Sequence, residues 1–206
     1  MLKIEHADVY GWEAAIRGAR NPMNSWNQSD TSYGTGEPHV EIGPRDLKLL
    51  RSLANAGPDH GKFLRMIAVS LDITAPLYWW KEFDTYKVGT VANSCSTMHK
   101  IHSKEFTLED FSHERLGDGE RVWLGGTINI LNLNREMFLE TKNKDYWWNM
   151  IQILPTSYNQ RRTVTLNYAV LKAMYHARKL HKLDEWREFC SWVRTLPHSE
   201  LITGGE

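Results

Sequence analysis

The chain has 206 residues, a length that predicts one large domain with its own hydrophobic core. Lysine plus arginine and aspartate plus glutamate each number 25, so charge argues against nucleic acid or an anionic membrane as the main partner. The two cysteines, Cys95 and Cys190, form neither a disulfide framework nor a metal-binding pattern. Without a signal-peptide pattern or about 20 consecutive apolar residues, the sequence predicts a cytoplasmic protein.

The first third of the chain predicts a strand, a helix and then a long loop. A short strand signal at the start leads into the helical stretch AAIRGA. Residues 21–44 are rich in Asn, Ser, Thr, Gly and Pro, which is typical of a functional loop or of disorder. Residues 45–56 place leucines at helical spacing, and Gly57-Pro58 stops that helix.

The middle and end of the chain continue this alternation. Residues 63–73 alternate like a strand, and Pro76 suits the first turn of a helix that ends near Gly89. The remaining expectations are a helix start at 107–110, a loop at 117–120, a helix over 123–138, and a long basic helical region over 161–193 that bends near His181.

The segment ANSCSTMHK, residues 92–100, concentrates small polar side chains. It predicts either the lining of a polar pocket or an ordinary capped turn. Cys95 has no neighbouring base in sequence, so a small buried thiol is favoured over a nucleophile. His99 and His102 lie three residues apart without a third ligand at diagnostic spacing, so the sequence predicts no metal site.

Asn167 and Arg178 fall on one face of the predicted C-terminal helix, about 16 Å apart along its axis. An amide and a guanidinium placed in this way could bind an elongated, partly anionic ligand. The alternative is a solvated helix face whose arginine pairs with a nearby acid.

The order of these features resembles the flavin-dependent thymidylate synthases, the ThyX family. FLRMIAVSLDITAP, ANSCSTMH and LPTSYNQRRTVTLNYAVLKAMYHAR follow the family's order with close spacings over most of the chain. The resemblance implies an α/β (α+β) fold: one ThyX-like domain with a central, mostly antiparallel sheet flanked by helices and a long basic C-terminal helical region. It also implies a homotetramer with active sites between subunits.

The resemblance assigns individual residues to ligands. Asn93 and Ser96 match the Asn and second Ser of the signature R-H-R-x-x-S-x-N-E-x-S-x-R, which hold the nucleotide. The late nucleotide-binding Arg matches Arg178, and the late flavin-contacting Asn matches Asn167. Further candidates are Ser94 and Lys87 for the nucleotide and Tyr86 for FAD, with folate as the one-carbon donor.

The sequence departs from the signature at its arginines. The R-H-R triplet falls on Thr85-Tyr86-Lys87 or, counted from Asn93, on Tyr86-Lys87-Val88, and the last Arg is Met98. Each charge-assisted bond to phosphate is worth roughly 1.5–3 kcal/mol, so these losses weaken binding unless other cations replace them. Arg161, Arg162, Lys87 and Lys100 are the candidates for that replacement.

Three functions are therefore open. The first is an enzyme that moves a one-carbon unit from folate to C5 of a dUMP-type pyrimidine nucleotide, with reduced flavin as hydride donor. The second is a repurposed or non-catalytic nucleotide-binding protein with a degenerate flavin site. The third is a structural or interaction protein whose pocket has decayed.

Overall fold

A computed structural model describes residues 1–34 and 40–205. The strands are β1 (Lys3–Tyr10), β2 (Ser32–Tyr33), β3 (Val40–Glu41), β4 (Ala68–Pro76), β5 (Val91–Ser94) and β6 (Asn159–Asn167). The α-helices are α1 (Trp12–Arg20), α2 (Pro44–Asn55), α3 (Leu77–Phe83), α4 (Thr97–Lys100), α5 (Asp118–Thr141), α6 (Lys144–Ile153), α7 (Tyr168–Arg178), α8 (Asp184–Val193) and α9 (Glu200–Thr203). None of the helices in the described residues is long and apolar enough to cross a membrane.

Four strands form one antiparallel sheet in the order β1-β4-β6-β5. With its helices the sheet gives an α+β fold, which confirms the predicted fold class. β2 and β3 form a separate antiparallel pair, with Ser32 opposite Glu41 and Tyr33 opposite Val40.

The chain divides into two compact units. The α5–α6 unit contains Met1–Glu5, Asp72–Thr85 and Ala92–Thr163. The α7–α8 unit contains His6–Leu71, Tyr86–Val91 and Val164–Glu206. The expectation of one ThyX-like domain over the whole chain stays a prediction.

The core of the α5–α6 unit forms where α5 and α6 pack on the segments that precede them. Its buried members are Ile101, Phe106, Phe111, Leu124, Ile128, Leu131 and Met150. In the same unit α3 buries Trp79, Trp80 and Phe83, with the Trp79 and Trp80 ring centroids 4.9 Å apart and their planes at 74°. Edge-to-face contacts of this kind add specificity to the apolar burial.

The core of the α7–α8 unit is also aromatic. α7 buries Tyr168 and Tyr175, and α8 buries Trp186 and Phe189. Trp12 of α1 meets Tyr168 edge-on, with 5.4 Å between ring centroids. Eleven of the 23 Trp, Tyr and Phe side chains are buried and stabilise these cores.

The loop predicted at 21–44 contains two 3₁₀ turns, Asn21–Met23 and Trp26–Gln28, and the β2–β3 pair. Residues 35–39 of that prediction lie outside the described residues. Arg20 organises the rest, because its guanidinium donates to Asp46 Oδ1 (2.6 Å) and to the Ser25 and Gln28 carbonyl oxygens (both 3.1 Å).

Two predicted elements differ from the structure. Residues 61–65 form a 3₁₀ turn and the strand begins only at Ala68, because Phe63 and Leu64, adjacent in sequence, are both buried. Residues 159–167 form β6 rather than the start of a helix. The alternately buried Gln160, Val164 and Leu166 sit among β-branched residues that favour a strand.

Other boundaries shift by a turn or more. The helix after Pro76 ends at Phe83, well before Gly89. The 117–120 loop prediction is wrong beyond Gly117, because α5 begins at Asp118 with acidic residues in its first turn. The break near His181 is confirmed, because α7 ends at Arg178 and α8 starts at Asp184.

Candidate functional site

A cavity of about 450 Å³ lies within the α5–α6 unit and is lined by part of the ANSCSTMHK segment. Ser96 contributes from that segment, and the start of β6 contributes Asn159 and Arg161. The rest of the lining includes Thr74, Thr97, Lys100, Ser103, Lys104 and Tyr158. The volume falls in the range of small-molecule sites.

Backbone and amide contacts fix the segment beside β6. The Cys95 amide N–H donates to the Arg161 carbonyl oxygen at 3.0 Å. The Gln160 side chain, only 8% exposed, donates from Nε2 to the Cys95 carbonyl oxygen at 2.9 Å. The indole of Trp147 donates to the Met98 carbonyl oxygen at 3.0 Å. A buried amide bonded to a neighbouring backbone makes this a defined turn rather than a mobile one.

Ser96 both caps a helix and lines the cavity. Its Oγ accepts a hydrogen bond from the His99 N–H (3.0 Å) as the N-cap of α4. The two alternatives for ANSCSTMHK, a capped turn and a pocket lining, are therefore both correct for this segment.

The cations of the cavity differ in their partners. Arg161 donates to Asp72 Oδ2 at 2.5 Å, and Lys104 pairs with Asp110. Lys100 has no ion-pair partner among the described residues. An unpaired ammonium in a concave, polar setting attracts anions. Of these three cations, Lys100 is therefore the one whose charge is available to an anionic ligand.

A buried donor without a hydrogen-bond partner lies in the cavity wall. Asn159 Oδ1 accepts from Ser112 Oγ at 2.8 Å. Its Nδ2 atom is buried without a partner within the described part of the chain. A buried amide N–H that lacks an acceptor costs free energy, which a ligand carbonyl oxygen could relieve.

The thiol and phenol of the cavity have different environments. Cys95 is exposed, so the expectation of a buried thiol at this position is wrong. The buried thiol is Cys190, whose pKa is raised to about 11 by burial. Burial, with smaller contributions from Asp110 and Cys95, also raises the pKa of Tyr158, so its hydroxyl stays protonated and able to donate.

The other predicted residues of the ANSCSTMHK segment lie just before the cavity. Asn93 and Ser94 are exposed residues of β5, and neither is part of the lining. Of the proposed replacement cations, Lys100 and Arg161 line the cavity. Arg162 instead donates to Asp84 at 2.7 Å and lies 4.2 Å above the Trp80 ring.

The remaining predicted residues belong to the α7–α8 unit. Arg178 Nε donates to the Tyr86 hydroxyl at 2.9 Å, and its guanidinium carbon lies 4.9 Å from the Trp186 ring centroid. Asn167 is the N-cap of α7, with its Oδ1 accepting from the Val170 N–H at 3.0 Å. Lys87 is exposed. Tyr86 and Arg178 are thus brought together, and a site that unites them with Ser96 stays a prediction.

Sequence reasoning missed Asn159 and Tyr158 as cavity residues. Asn159 is the first residue of β6 and Tyr158 directly precedes it, so recognition of this strand from its alternation is the signal that could have located them. Within residues 1–34 and 40–205, no three His, Cys, Asp or Glu side chains come together as metal ligands.

The comparisons with known proteins find similarity in three-dimensional structure and not in sequence. No family model matches the sequence, and no curated protein matches it. A structure of flavin-dependent thymidylate synthase ThyX from Helicobacter pylori complexed with FAD and dUMP matches with a TM-score of 0.72, 16% identity and 98% coverage of both chains. A second ThyX structure from that organism, with FAD and dUMP, gives a TM-score of 0.74, 15% identity and coverage of 100% and 99%.

A third structure extends the comparison to another protein. The UMP/dUMP methylase PolB from Streptomyces cacaoi bound with 5-Br dUMP matches with a TM-score of 0.65 and 14% identity, over 99% of this chain and 95% of its own. The chain therefore has a divergent ThyX-like fold, as the sequence resemblance predicted. At this level of identity the likeness shows the fold alone.

Proposed function

We propose that this protein binds a pyrimidine nucleoside monophosphate of the dUMP type in the cavity of the α5–α6 unit. One observation carries the proposal: the cavity lining combines an exposed cation without an ion-pair partner among the described residues, Lys100, with a buried donor that lacks an acceptor, Asn159 Nδ2. A nucleotide offers a phosphate to the first and a ring carbonyl oxygen to the second. Solved structures with the same fold hold dUMP or 5-Br dUMP.

In this proposal each cavity residue has a stated task. Lys100 pairs with the phosphate, and the hydroxyls of Ser96 and Thr97 donate to its oxygens. Asn159 donates to the base. The sequence resemblance also assigns Asn93, Ser94, Lys87 and Arg178 to the nucleotide, but none of these four residues lines the cavity.

The residues assigned to FAD, Tyr86 and Asn167, already make hydrogen bonds within the chain. The phenol oxygen of Tyr86 accepts from Arg178, and the amide oxygen of Asn167 accepts from the α7 backbone. The positions of the R-H-R triplet supply one cation, Lys87, in place of two arginines, and the third arginine of the signature is Met98. These contacts favour nucleotide binding without the flavin grip of the ThyX signature, which is the second function left open by the sequence.

One-carbon transfer from folate to C5 of the bound nucleotide is the second candidate function. The observation that favours it is the likeness, over 98% or more of this chain, to a flavin-dependent thymidylate synthase and a UMP/dUMP methylase. Reduced flavin would supply the hydride in that reaction. Release of tritium from C5-labelled dUMP, in the presence of methylene-tetrahydrofolate and reduced FAD, would support this candidate.

Ligand-dependent thermal unfolding tests the binding proposal. We expect dUMP or UMP to raise the Tm, because a ligand that binds only the folded state at 100 times its Kd stabilises by about 2.7 kcal/mol. Deoxyuridine and inorganic phosphate, each at the same concentration, separate the base from the phosphate contribution. An unchanged Tm with every nucleotide, together with no nucleotide in the mass spectrum of material released by denaturation, would refute the proposal.

Protection of the Cys95 thiol from alkylation tests where the nucleotide binds. The Cys95 thiol is exposed and lines the cavity, whereas Cys190 is buried. We expect bound dUMP to slow alkylation of Cys95 several-fold and to leave Cys190 unreactive, as followed by intact-protein mass spectrometry. Nucleotide stabilisation without protection of Cys95 would move the site elsewhere.

Assembly is part of the proposal as well. The sequence resemblance implies a homotetramer, and light scattering on the purified protein tests it against the 24.0 kDa of one chain.

A further inference from the structure

A second cavity, of about 260 Å³, lies within the α7–α8 unit and shares no lining residue with the cavity of the α5–α6 unit. It lies between the end of α2, the 3₁₀ turn at 61–65 and one face of α7, and we call it the α7 cavity. Apart from two glycines, its apolar wall consists of Ala54, Pro58, Leu64, Ala169 and Ala173. The volume is just below the roughly 300–1,000 Å³ of sites for drug-sized ligands, so a ligand here is small and mostly apolar.

The charged side chains of the α7 cavity are all basic. Arg65 and Lys172 line it together with His176, and no Asp or Glu is among the described residues of its wall. Neither Arg65 nor Lys172 forms an ion pair with another residue in the part of the chain that the structure describes. An apolar cavity with cations and no carboxylate favours a ligand that brings its own negative charge.

Lys172 is held at the cavity wall by the end of α2. Its Nζ atom donates to the Ala54 carbonyl oxygen at 2.7 Å. That carbonyl lies in the last turn of α2, and the residue four positions further on is Pro58, which has no N–H to donate to it. This contact uses one of the three N–H donors of the ammonium, so donors remain for a ligand.

Burial leaves the Lys172 ammonium without full solvation. The side chain is half-buried, and burial lowers its pKa. A pKa lowered in this way shows that no nearby negative charge offsets the loss of water around the ammonium. A ligand carboxylate beside Nζ would supply that charge and raise the pKa of Lys172 again.

One face of α7 brings the charge and the open space together. Ala169, Lys172, Ala173 and His176 follow one another in steps of three, one and three residues, which places them on the same side of the helix. The two alanines leave room beside the ammonium that larger side chains would fill. His176 Nε2 donates to the Ile202 carbonyl oxygen at 3.2 Å, so this nitrogen is already used within the chain.

We propose that the α7 cavity binds a small aliphatic monocarboxylate, with its carboxylate on Lys172 and Arg65 and its hydrocarbon chain against the apolar wall. The wall has no polar side chain other than the three basic ones among its described residues. A second charged or strongly polar group on the ligand would therefore lose its water without gaining a partner. This ligand has neither a base nor a phosphate, so the proposal goes beyond the proposed nucleotide binding.

Isothermal titration calorimetry with octanoate tests the ligand class. We expect octanoate to bind with a Kd below about 1 mM. Octanol, which lacks the charge, should bind roughly ten- to hundredfold more weakly, because a charge-assisted contact is lost. Acetate, which lacks the chain, and octylamine, which has the opposite charge, should give no measurable binding. No binding of octanoate, or equally tight binding of octanol, would overturn the proposal.

Two variants test the location of the ligand. Lys172→Met removes the ammonium and keeps an apolar stem, and we expect it to weaken octanoate binding roughly ten- to hundredfold. Ala173→Leu keeps every charge and the Lys172–Ala54 contact, and leucine suits a helix, so it should weaken binding by filling the space alone. Lys48→Met, at an exposed lysine of α2 outside the lining, is the matched control and should leave the Kd unchanged. An unchanged Kd in both Lys172→Met and Ala173→Leu would contradict the proposed site.

The reactivity of Lys172 gives a measurement that a purely structural lysine would not affect. We expect octanoate to slow acetylation of Lys172 by acetic anhydride several-fold and to leave Lys48 unaffected, as followed by peptide mass spectrometry. Equal acetylation rates with and without octanoate would count against the proposal. These results do not depend on whether dUMP binds in the α5–α6 unit. We expect dUMP not to displace octanoate, and displacement would assign the α7 cavity to the nucleotide instead.

Discussion

Two arginine–aspartate pairs in this protein differ in what surrounds them. In the α7–α8 unit, the side chains of Arg20 and Asp46 are 5% and 1% exposed. Ser29 Oγ and Thr31 Oγ1 both donate to Asp46 Oδ2 at 2.6 Å, so the carboxylate is fully used within the chain. A pair closed in this way has no capacity left for a ligand.

In the α5–α6 unit, the side chains of Arg161 and Asp72 are 46% and 15% exposed. Thr163 also donates to Asp72 at 2.5 Å, but the Arg161 side chain stays about half exposed, and both Arg161 and Lys100 line the cavity. The comparison teaches that a closed ion pair, buried and fully hydrogen-bonded within the chain, organises a loop. An open ion pair, which is partly exposed, leaves donors for a ligand. The predictions below test this distinction, beginning with the largest effect.

The closed pair should be costly to break. Asp46→Ala leaves the Arg20 guanidinium buried without its counter-charge, and removal of one partner of a buried pair typically costs about 3–5 kcal/mol. Urea unfolding would measure the loss as a lower midpoint with an unchanged m-value. A loss below about 1 kcal/mol would show that this pair behaves like a surface pair. Asp84→Ala, at the half-exposed partner of Arg162, is the matched control.

The closed pair should also set part of the acid stability. Burial alone would raise the pKa of Asp46, but hydrogen bonds from Ser29, Thr31 and Arg20 outweigh it and lower the pKa below the usual value of an aspartate. A lowered pKa stabilises the fold above the unfolded value, and this stability is lost as the pH falls below about 4 toward the folded pKa. We expect Asp46→Asn to be less stable at pH 7 and to show a flatter loss of stability below pH 4. Parallel acid curves for the two proteins would contradict this assignment.

The open site should respond in affinity rather than in stability. Lys100→Met removes the unpaired ammonium, and we expect it to weaken dUMP binding by about 1.5–3 kcal/mol, roughly ten- to hundredfold. Isothermal titration calorimetry would measure this loss, and the Tm without ligand should stay within about a degree. Lys62→Met removes an exposed lysine outside the cavity lining, so it should leave the Kd unchanged. Equal weakening by both variants would point to a non-specific charge effect.

The smallest effect is expected at the open pair itself. Asp72→Ala breaks an ion pair whose arginine side chain is 46% exposed, and exposed ion pairs are typically worth about 0–1 kcal/mol. Urea unfolding should therefore give a midpoint close to that of the wild type, in contrast to Asp46→Ala. A loss of 3 kcal/mol or more would remove the distinction between the two pairs.

The sequence predicted most elements but misplaced those whose identity depends on partners. α1, α2 and α5 have local signals, such as Pro44 in the first turn of α2, and the structure confirms them. The part of β6 from Arg161 onward is predicted as helix because Leu166 continues, at helical spacing, the apolar stripe of the helix that follows. A strand of this kind is stabilised by hydrogen bonds to neighbouring strands that local spacing cannot reveal.

For the candidate site, the sequence identified the segment and the tertiary structure selected its residues. Ser96, Lys100 and Arg161 were named from sequence and line the cavity. Asn159 was not, because its free Nδ2 is a property of burial. Asn93 and Ser94 were named but lie outside the lining, since they precede the turn that enters it.

By itself, the sequence determined the order of the helices, the polar ANSCSTMHK turn and the resemblance to the ThyX family, because these depend on local patterns and spacing. Only the tertiary structure decided which charges are closed and which are open. Asp46 and Asp72 are the same residue type, and their difference comes entirely from the groups that the fold brings around them. Solvent exposure and hydrogen-bond saturation arise between segments distant in sequence, so no local pattern encodes them.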